Sequence, residues 1–323
     1  MKKIKKSIKK NLLNSDAGAL MFYKIRAIRE SLSLFLTNDY NYIKNDYRKR
    51  FGREINLKNP NTVSEKLQWL KLFYRNENMP ICSDKYDIRL YLKKFGYEHL
   101  LNDVIGIYES EKEIDTLEIN SLPKSFVAKA THGSSWNLIC NDKEKLDWKF
   151  QKNIFKQWLK LNLYVFGREW NYQYLKPKLL IEEMIEHKPL IDYKITCFNG
   201  EPKYFQINTE NENGRFVDFY DMEWKKMTVT LKGYHVSNYV TPKPPALEKL
   251  LSIAKDLSKE FPFVRVDFYN FKDTIILGEL TFFPGGGLTA FYPETEKYEQ
   301  LFGSYLSLPK PNHNIELYNK INA

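Results

Sequence analysis

The 323-residue sequence predicts an α+β protein, because segments with the period of β-strands and segments with the period of α-helices occur side by side. Apolar and polar residues alternate with period two in residues 263–269 and 274–283. Residues 247–261 instead carry apolar side chains at helical spacing. A hydrophobic fraction of 43% and an aromatic fraction of 15% describe a globular chain, long enough for about two domains.

Positive charge is concentrated at the start of the chain. Residues 1–60 hold 15 of the 50 basic and 5 of the 40 acidic residues, which leaves 35 of each sign in the rest. This basic arm, residues 1–60, precedes a chain with equal numbers of acidic and basic residues. That distribution argues against the continuous basic groove of a nucleic-acid enzyme, so we expect no nucleic-acid partner. The arm suits peripheral contact between residues 1–36 and an anionic inner membrane, and a merely solvated basic helix is the alternative.

The N-terminal residues and the spacing of the three cysteines both bear on localisation. The lysines of residues 2–10 precede too short an apolar stretch for a secretion signal. Residues 20–36 are interrupted by charges, so they can lie on a bilayer but cannot cross it. Cys82, Cys140 and Cys197 stand far apart and are read as reduced thiols. We therefore expect a cytoplasmic protein that is peripheral to the inner face of the membrane if residues 1–36 bind it.

The two strand-like segments near the C-terminus carry the most informative polar residues. Arg265 and Asp267 share one strand face, about 7 Å apart. Glu279 and Thr281 share a face of the next strand, and residues 270–273 supply the turn. If the hairpin register pairs positions whose numbers sum to an even value, for example Arg265 opposite Glu279, one face carries a guanidinium and two carboxylates, which suits Mg²⁺ beside a phosphate clamp. An exposed ion-pair cluster on a sheet face is the alternative.

An upstream strand carries a lysine into a turn of small residues. Residues 126–131 alternate as a strand that contains Lys129, and Gly133, Ser134 and Ser135 follow it. An ammonium and unhindered loop amides together suit the binding of phosphate oxygens.

Two more strands are predicted in the middle of the chain. Residues 179–185 read as an apolar strand that contains Glu182 and Glu183, and residues 191–198 alternate again. Asp192 and Lys194 share one face of the second strand, either as an ordinary ion pair or as ribose and phosphate contacts. Asn199-Gly200 is the strongest hairpin signal in the chain.

Helices are predicted between and before these strands. Residues 62–100 read as helical, with Ser64 as a capping residue and a second start at residues 83–86. In that second helix Lys85 and Arg89 would share one face, as a solvated stripe or as an anion contact.

Two further helices follow later in the chain. Residues 143–163 and 247–261 read as amphipathic helices whose stripes we assign to packing. After the second hairpin strand, residues 285–287 are three glycines, which either let a substrate approach the backbone or form a flexible turn.

The order of these motifs resembles that of the ATP-grasp superfamily, and more narrowly the TupA-like ATP-grasp group, from about Asp84 to Pro293. The motifs that carry the resemblance are Ser83-Asp84-Lys85-Tyr86, Lys129-Ala130-Thr131-His132-Gly133-Ser134, Asp192-Tyr193-Lys194 with Cys197-Phe198-Asn199-Gly200, Arg265-Val266-Asp267-Phe268-Tyr269, and Gly278-Glu279-Leu280-Thr281. The basic arm is not covered.

The resemblance implies a fold in which two α+β subdomains clasp ATP, with a helical basic extension before them. It implies four segments: residues 1–60 as the extension, 61–120 as a helical region, 121–185 as the lid subdomain and 186–323 as the subdomain with the metal site.

The resemblance also assigns roles to residues. The expected cofactors are ATP and Mg²⁺. The backbone of Glu182 to Ile185 would read adenine, and Asp192 would lie near the ribose. The residues expected to bind ATP are Lys129, Gly133, Ser134, Ser135, Glu182, Glu183, Ile185 and Asp192. The expected metal ligands are Asp267, Glu279 and Thr281, and the expected catalytic residues are Arg265 and Lys194.

One motif departs from the pattern of the family. Many ATP-grasp enzymes have Glu-x-Asn where this chain has Glu279-Leu280-Thr281, which puts a second metal in doubt. A threonine hydroxyl can still ligate Mg²⁺ or orient a water.

The resemblance implies an ATP- and Mg²⁺-dependent carboxylate–amine ligase that works through an acyl phosphate. Its acceptor would be a carboxylate-bearing sugar, amino acid or glycan of bacterial cell-surface polysaccharide biosynthesis. A glycosyltransferase of the same pathway is an alternative, although its common Asp-x-Asp motif does not occur here. An ATP-dependent glycan kinase and a non-catalytic binding module are the others.

Overall fold

A computed structural model describes residues 16–185, 191–211, 214–271 and 274–323. The α-helices are α1 (Asp16–Leu36), α2 (Asp39–Phe51), α3 (Val63–Phe73), α4 (Asn78–Ser83), α5 (Ile88–Lys93), α6 (Glu111–Asp115), α7 (Trp148–Trp158), α8 (Leu247–Ser258), α9 (Thr295–Ser304) and α10 (Ile315–Asn322). The strands are β1 (Val104–Tyr108), β2 (Phe126–Ala130), β3 (Asn137–Cys140), β4 (Leu179–Glu183), β5 (Ile191–Phe198), β6 (Glu201–Asn211), β7 (Gly214–Tyr220), β8 (Thr230–Leu231), β9 (Phe263–Phe271), β10 (Thr274–Thr281) and β11 (Phe291–Tyr292).

The chain forms two compact units. The described part of unit 1 comprises residues 16–38, 84–87 and 102–185, and unit 2 comprises residues 39–83, 88–101 and the described residues from 191 onward. Both units combine helices with antiparallel sheet, so the predicted α+β class is confirmed. The four sequence segments stay predictions.

Unit 1 is built on a four-stranded antiparallel sheet in the order β1-β4-β2-β3. Along β2 the side chains of Phe126, Ala128 and Ala130 are buried, while Lys129 is only half-buried. This period-two burial is the one that the sequence predicted. The apolar face packs on α7, where Phe155 and Trp158 belong to the same core.

Unit 2 is built on a five-stranded antiparallel sheet in the order β10-β9-β5-β6-β7. The predicted hairpin at Asn199-Gly200 is confirmed: the two residues join β5 to β6 with φ values of 49° and 82°. Positive φ at both loop positions is the type I′ geometry, whose twist matches that of the strands. On one face of the sheet α8 contacts β5, β6 and β9 through the stripe Leu250, Ile253, Ala254 and Leu257.

The hairpin of β9 and β10 has a register that the sequence did not give. Glu279 pairs opposite Asp267 and Thr281 opposite Arg265, so the partner numbers sum to an even value as in the register that we considered, although Arg265 is opposite Thr281 and not Glu279. The register shifts between Leu277 and Glu279, at Gly278. A Cβ at Gly278 would lie 3.2 Å from the Asp267 carbonyl oxygen, which explains why this bulge carries a glycine. The strand β9 also extends to Phe271, so the expected turn at residues 270–273 began too early.

Several helix boundaries differ from the prediction because other residues cap the helices. The cap of α3 is Thr62, not Ser64, and Thr62 forms a capping box with Glu65. Lys85 lies in the turn before α5, so it shares no helical face with Arg89.

The two later helices are shorter than predicted. Asp147 caps α7, so the helix predicted for residues 143–163 covers only Trp148–Trp158. The helix α8 ends at Ser258, three residues before the predicted end. Among the described residues, no helix combines the length and the apolar character needed to cross a membrane.

Candidate active site

The predicted site residues of unit 2 lie on one face of its sheet. Directly opposed residues of neighbouring strands point to the same face. Lys194 is opposite Asp267, and Asp267 is opposite Glu279 on its other side. Two positions further along the same two strands, Thr281 is opposite Arg265. Strand pairing therefore brings together side chains that are up to 87 positions apart in the sequence.

Asp267 is the centre of this cluster. Its side chain is only 3% exposed and accepts hydrogen bonds of 2.6 Å from Arg265 Nε to Oδ1 and from Arg265 Nη2 to Oδ2. Lys194 Nζ lies 2.6 Å from Oδ2. One buried carboxylate is thus held by two cations, an arrangement that fixes its orientation.

Glu279 forms the open side of the cluster. Its carboxylate accepts a hydrogen bond of 2.8 Å from the Thr281 hydroxyl and lies 3.4 Å from Arg265 Nη2. The Thr281 hydroxyl in turn accepts a bond of 3.1 Å from Arg265. Because the Glu279 side chain is 45% exposed, a solvent-borne ligand can reach it.

Asp192 completes the set on β5. Its Oδ2 lies 2.5 Å from Lys194 Nζ, whereas its buried Oδ1 accepts no hydrogen bond from the residues that the structure describes. Burial raises the pKa of the Asp192 carboxyl, and the Lys194 charge acts in the opposite direction. A ligand hydroxyl could donate a hydrogen bond to this acceptor atom.

The Arg265 guanidinium is favoured in its charged form. Burial alone would lower the pKa of Arg265, but the adjacent Asp267 outweighs it, and the pKa is raised above its ordinary value. By residue type, three acids (Asp192, Asp267 and Glu279) and two bases (Lys194 and Arg265) form this cluster, so acidic side chains outnumber basic ones.

The donor set suits a metal ion that arrives with phosphates. The described residues contain no group of three or more His, Cys, Asp or Glu that could hold a metal ion by themselves. Mg²⁺ in nucleotide sites usually needs one or two carboxylates, because phosphates and water supply its other oxygens. Asp267 and Glu279 are two such carboxylates on opposed strand positions, with the Thr281 oxygen beside them. The residues present therefore fit this ion.

The predicted ATP contacts of the earlier motifs lie in unit 1. Lys129 Nζ on β2 lies 2.7 Å from Glu182 Oε2 on β4. Glu183 ends β4, where its amide donates to the Asp103 carbonyl and its carbonyl accepts from Asn102. Ile185 is half-buried and follows the strand.

The turn after β2 is packed, not open. A Cβ at Gly133 would lie 2.1 Å from the Trp136 ring, so packing against this ring requires a glycine here. Lys85 Nζ donates a hydrogen bond to the Gly133 carbonyl. Ser134 is exposed beside Gly133, and Ser135 has a φ of 63°.

The glycine loop after β10 involves residues that the sequence analysis did not single out. Gly285, Gly286 and Gly287 all have positive φ, and a Cβ at Gly287 would lie 2.7 Å from the Gln68 amide. Gln68 and Lys71 of α3 donate to the Gly286 carbonyl over 3.1 and 2.5 Å. These hydrogen bonds hold the loop against α3. No spacing in the sequence links residues 68 and 71 to residue 286.

A cavity of about 620 Å³ opens beside the cluster in unit 2. It begins at Ile191 and Asn208, and Asn208 is the strand partner of Asp192. The rest of its lining is Thr209, Arg215, Phe216, Val217, Tyr234, Tyr239, Thr241 and Pro242. Half-exposed tyrosine rings beside amide, hydroxyl and guanidinium groups can stack on and hydrogen-bond to a polar ring.

Comparison with known proteins identifies the family. The sequence matches the model of the TupA-like ATP-grasp family over residues 65–307, well over half of the chain. No curated protein matches it. The structure is similar to that of D-alanine–D-alanine ligase from Helicobacter pylori, with 15% identity, a TM-score of 0.41, and coverage of 77% of this chain and 68% of that one. The same enzyme from Bacillus anthracis in complex with ATP has 15% identity and a TM-score of 0.43, over 75% and 67% of the two chains.

An α+β fold with an acid-and-base cluster on one sheet face is consistent with a nucleotide-dependent ligase. The chain belongs to the TupA-like ATP-grasp family. The resemblance seen in the motifs and the predicted ATP-grasp fold are thereby confirmed, and by class the protein is an ATP-dependent ligase. The match begins at residue 65, inside α3, and so includes the helix that holds the glycine loop.

Proposed function

We propose that the protein is an ATP- and Mg²⁺-dependent carboxylate–amine ligase that works through an acyl phosphate. The observation that carries this proposal is the cluster of Arg265, Asp267 and Glu279 on one face of the sheet in an ATP-grasp chain. Phosphoryl transfer needs positioning and charge neutralisation more than a covalent protein group. The cluster offers both.

Asp267 and Glu279 are the proposed metal ligands, with Thr281 beside them. When bound, Mg²⁺ neutralises the charge that develops on the β- and γ-phosphates. The Thr281 hydroxyl already bridges Glu279 and Arg265, which supports a role in orienting the Glu279 carboxylate. The proposed role of Thr281, at a position where many ATP-grasp enzymes have asparagine, is therefore to orient Glu279.

Arg265 and Lys194 are the proposed catalytic residues. An oxygen of the acceptor carboxylate attacks the γ-phosphorus, ADP leaves, and an amine then attacks the acyl carbon and releases phosphate. A guanidinium and an ammonium, both held by the buried Asp267, can stabilise the charge that accumulates on the transferred group. Their counter-ion fixes their position before the nucleotide arrives.

The remaining predicted residues are proposed to hold ATP. Asp192 would accept a hydrogen bond from a ribose hydroxyl through its unpartnered Oδ1. In unit 1, Lys129 would contact the phosphates, and the backbone of Glu182 to Ile185 would read adenine. The turn of Gly133, Ser134 and Ser135 would close over the phosphates.

The acceptor is proposed to be a carboxylate-bearing sugar, amino acid or glycan of bacterial cell-surface polysaccharide biosynthesis, including capsule. The cavity lined by Asn208, Tyr234 and Tyr239 supports a ring-shaped substrate with hydroxyl groups. We propose that the protein works in the cytoplasm beside the inner membrane face, where residues 1–36 would contact anionic lipid.

The test is the product formed from ATP, Mg²⁺, an amine and a panel of acidic sugars and glycans. A ligase releases ADP and phosphate and forms an amide in equal amounts. A stable phospho-product with ADP would mark a glycan kinase, and UDP release from a sugar donor would mark a glycosyltransferase; either outcome overturns the proposal. The variant Lys194→Met, which removes the ammonium but retains most of the apolar stem, should form product at least about a hundredfold more slowly.

A further inference from the structure

The helix α1 has one apolar face that the protein itself covers. Leu20, Tyr23 and Ala27 pack against the core of unit 1, at helical spacing along this face. Arg26 also turns inward, with its guanidinium 4.2 Å from the centre of the Phe166 ring. This inner face explains why α1 is attached to unit 1.

A second apolar face of α1 points to solvent. Its six large side chains are between 52% and 89% exposed, and they are Met21, Ile25, Ile28, Leu32, Phe35 and Leu36. At about 100° per residue, the six positions fall within an arc of about 100°. A continuous apolar stripe of this length on a surface helix marks an interaction site.

Basic residues border this stripe. Lys24 and Arg29 are exposed and, by the same helical geometry, lie just outside its two edges. Immediately before α1, the sequence of residues 1–15 contains six lysines and no acidic residue. The apolar stripe is thus combined with positive charge on both sides and at its N-terminal end.

We propose that this face of α1 lies in the interface of an anionic membrane. Apolar side chains flanked by Lys and Arg are the pattern of a helix that lies in the headgroup region, with its apolar face toward the acyl chains. Anionic lipid complements the basic border, whereas a second copy of the chain would bring the same positive charges together. The inference rests on the proposed membrane contact of residues 1–36, which it narrows to one face of α1, and it is independent of the ligase chemistry because none of the proposed site residues lies on α1.

The experiment measures binding of the full chain to vesicles of equal parts phosphatidylcholine and phosphatidylglycerol. The double variant Ile28→Gln with Leu32→Gln should bind at least about tenfold more weakly, because two apolar groups are lost from the buried stripe. The matched control is Ile139→Gln, since Ile139 is 60% exposed in unit 1 and Ile28 is 62% exposed. The control should bind as the wild type does, and circular dichroism checks that every variant is folded.

Each outcome decides the proposal. Binding that requires phosphatidylglycerol, weakens with salt and is lost in the stripe variant supports it. Equal binding by the stripe variant and the control overturns it, as does the absence of wild-type binding. A concentration-dependent dimer that the stripe variant abolishes, without any change in vesicle binding, would assign the stripe to a second copy instead.

Discussion

At the scale of single residues, Asp267 and Glu279 are acids of the same cluster, but removing them should reduce the free energy of unfolding by different amounts. Asp267 is buried between Arg265 and Lys194, so its loss leaves two buried cations with one counter-ion fewer. Glu279 is nearly half exposed, and its ion pair with Arg265 is long. Substitutions at the two positions should therefore affect stability differently, although both are proposed metal ligands.

We predict that Glu279→Gln lowers ATP turnover at least about a hundredfold while changing the free energy of unfolding by less than about 1 kcal/mol. Asp267→Asn should lower turnover as strongly and also destabilise the fold by on the order of 3 kcal/mol. Urea denaturation and ADP release, measured on both variants, check this. Near-normal turnover in Glu279→Gln would remove Glu279 from the metal site.

The sequence predicted which residues belong to the cluster, but it did not predict which of them lie opposite each other. Period-two alternation correctly put Arg265 and Asp267 on one strand face, and Glu279 and Thr281 on one face of the next. The bulge at Gly278 then decided which of them meet, because one extra residue changes the partner of every later position. Without the bulge, the register that pairs Leu277 with Phe268 would put Leu280 opposite Arg265 and Glu279 opposite Val266, on the other face of the sheet.

At the scale of elements, α3 and α9 of unit 2 are joined by a buried acid. Glu299 accepts hydrogen bonds from the Ser64 amide over 2.9 Å and the Ser64 hydroxyl over 2.8 Å. Burial raises the pKa of Glu299 to about 7, from an ordinary value near 4.5. Ser64, which the sequence suggested as a helix cap, instead links two helices.

This carboxyl predicts a pH dependence of stability. Between about pH 4.5 and 7 the folded protein holds a proton that the unfolded chain has released, so the contribution of Glu299 falls as pH rises. Relative to Glu299→Gln, the wild type should lose about 2 kcal/mol of unfolding free energy between about pH 5 and pH 8. Urea denaturation of both proteins at the two pH values measures the difference. A constant difference would mean that Glu299 titrates alike in the folded and unfolded chains.

At the scale of the whole molecule, the excess positive charge and the proposed site residues lie in different parts of the chain. The proposed site residues all lie between residues 129 and 281, whereas the excess positive charge lies within residues 1–60. Each basic residue near an anionic leaflet contributes about 1 kcal/mol. The proposed membrane contact and the proposed chemistry can therefore be tested by separate changes to the chain.

We predict that deleting residues 2–10 weakens binding to phosphatidylglycerol vesicles at least about a hundredfold and leaves ATP hydrolysis in solution unchanged. Six lysines are removed, and none of the proposed site residues is touched. A variant with glutamine at the same six positions keeps the chain length and should behave as the deletion does. Loss of ATP hydrolysis in the glutamine variant would contradict the separation.

The sequence by itself determined the α+β class, the strands β2, β4 and β5, the turn at Asn199-Gly200 and the family, because these depend on local periodicity and on short motifs in order. Tertiary structure decided the register at Gly278, the packed state of the glycine loop under Gln68 and Lys71, and the second apolar face of α1. Each of these depends on which partner, if any, packs against a residue in the folded chain. Local propensity carries no information about that partner, so only the folded chain settles it.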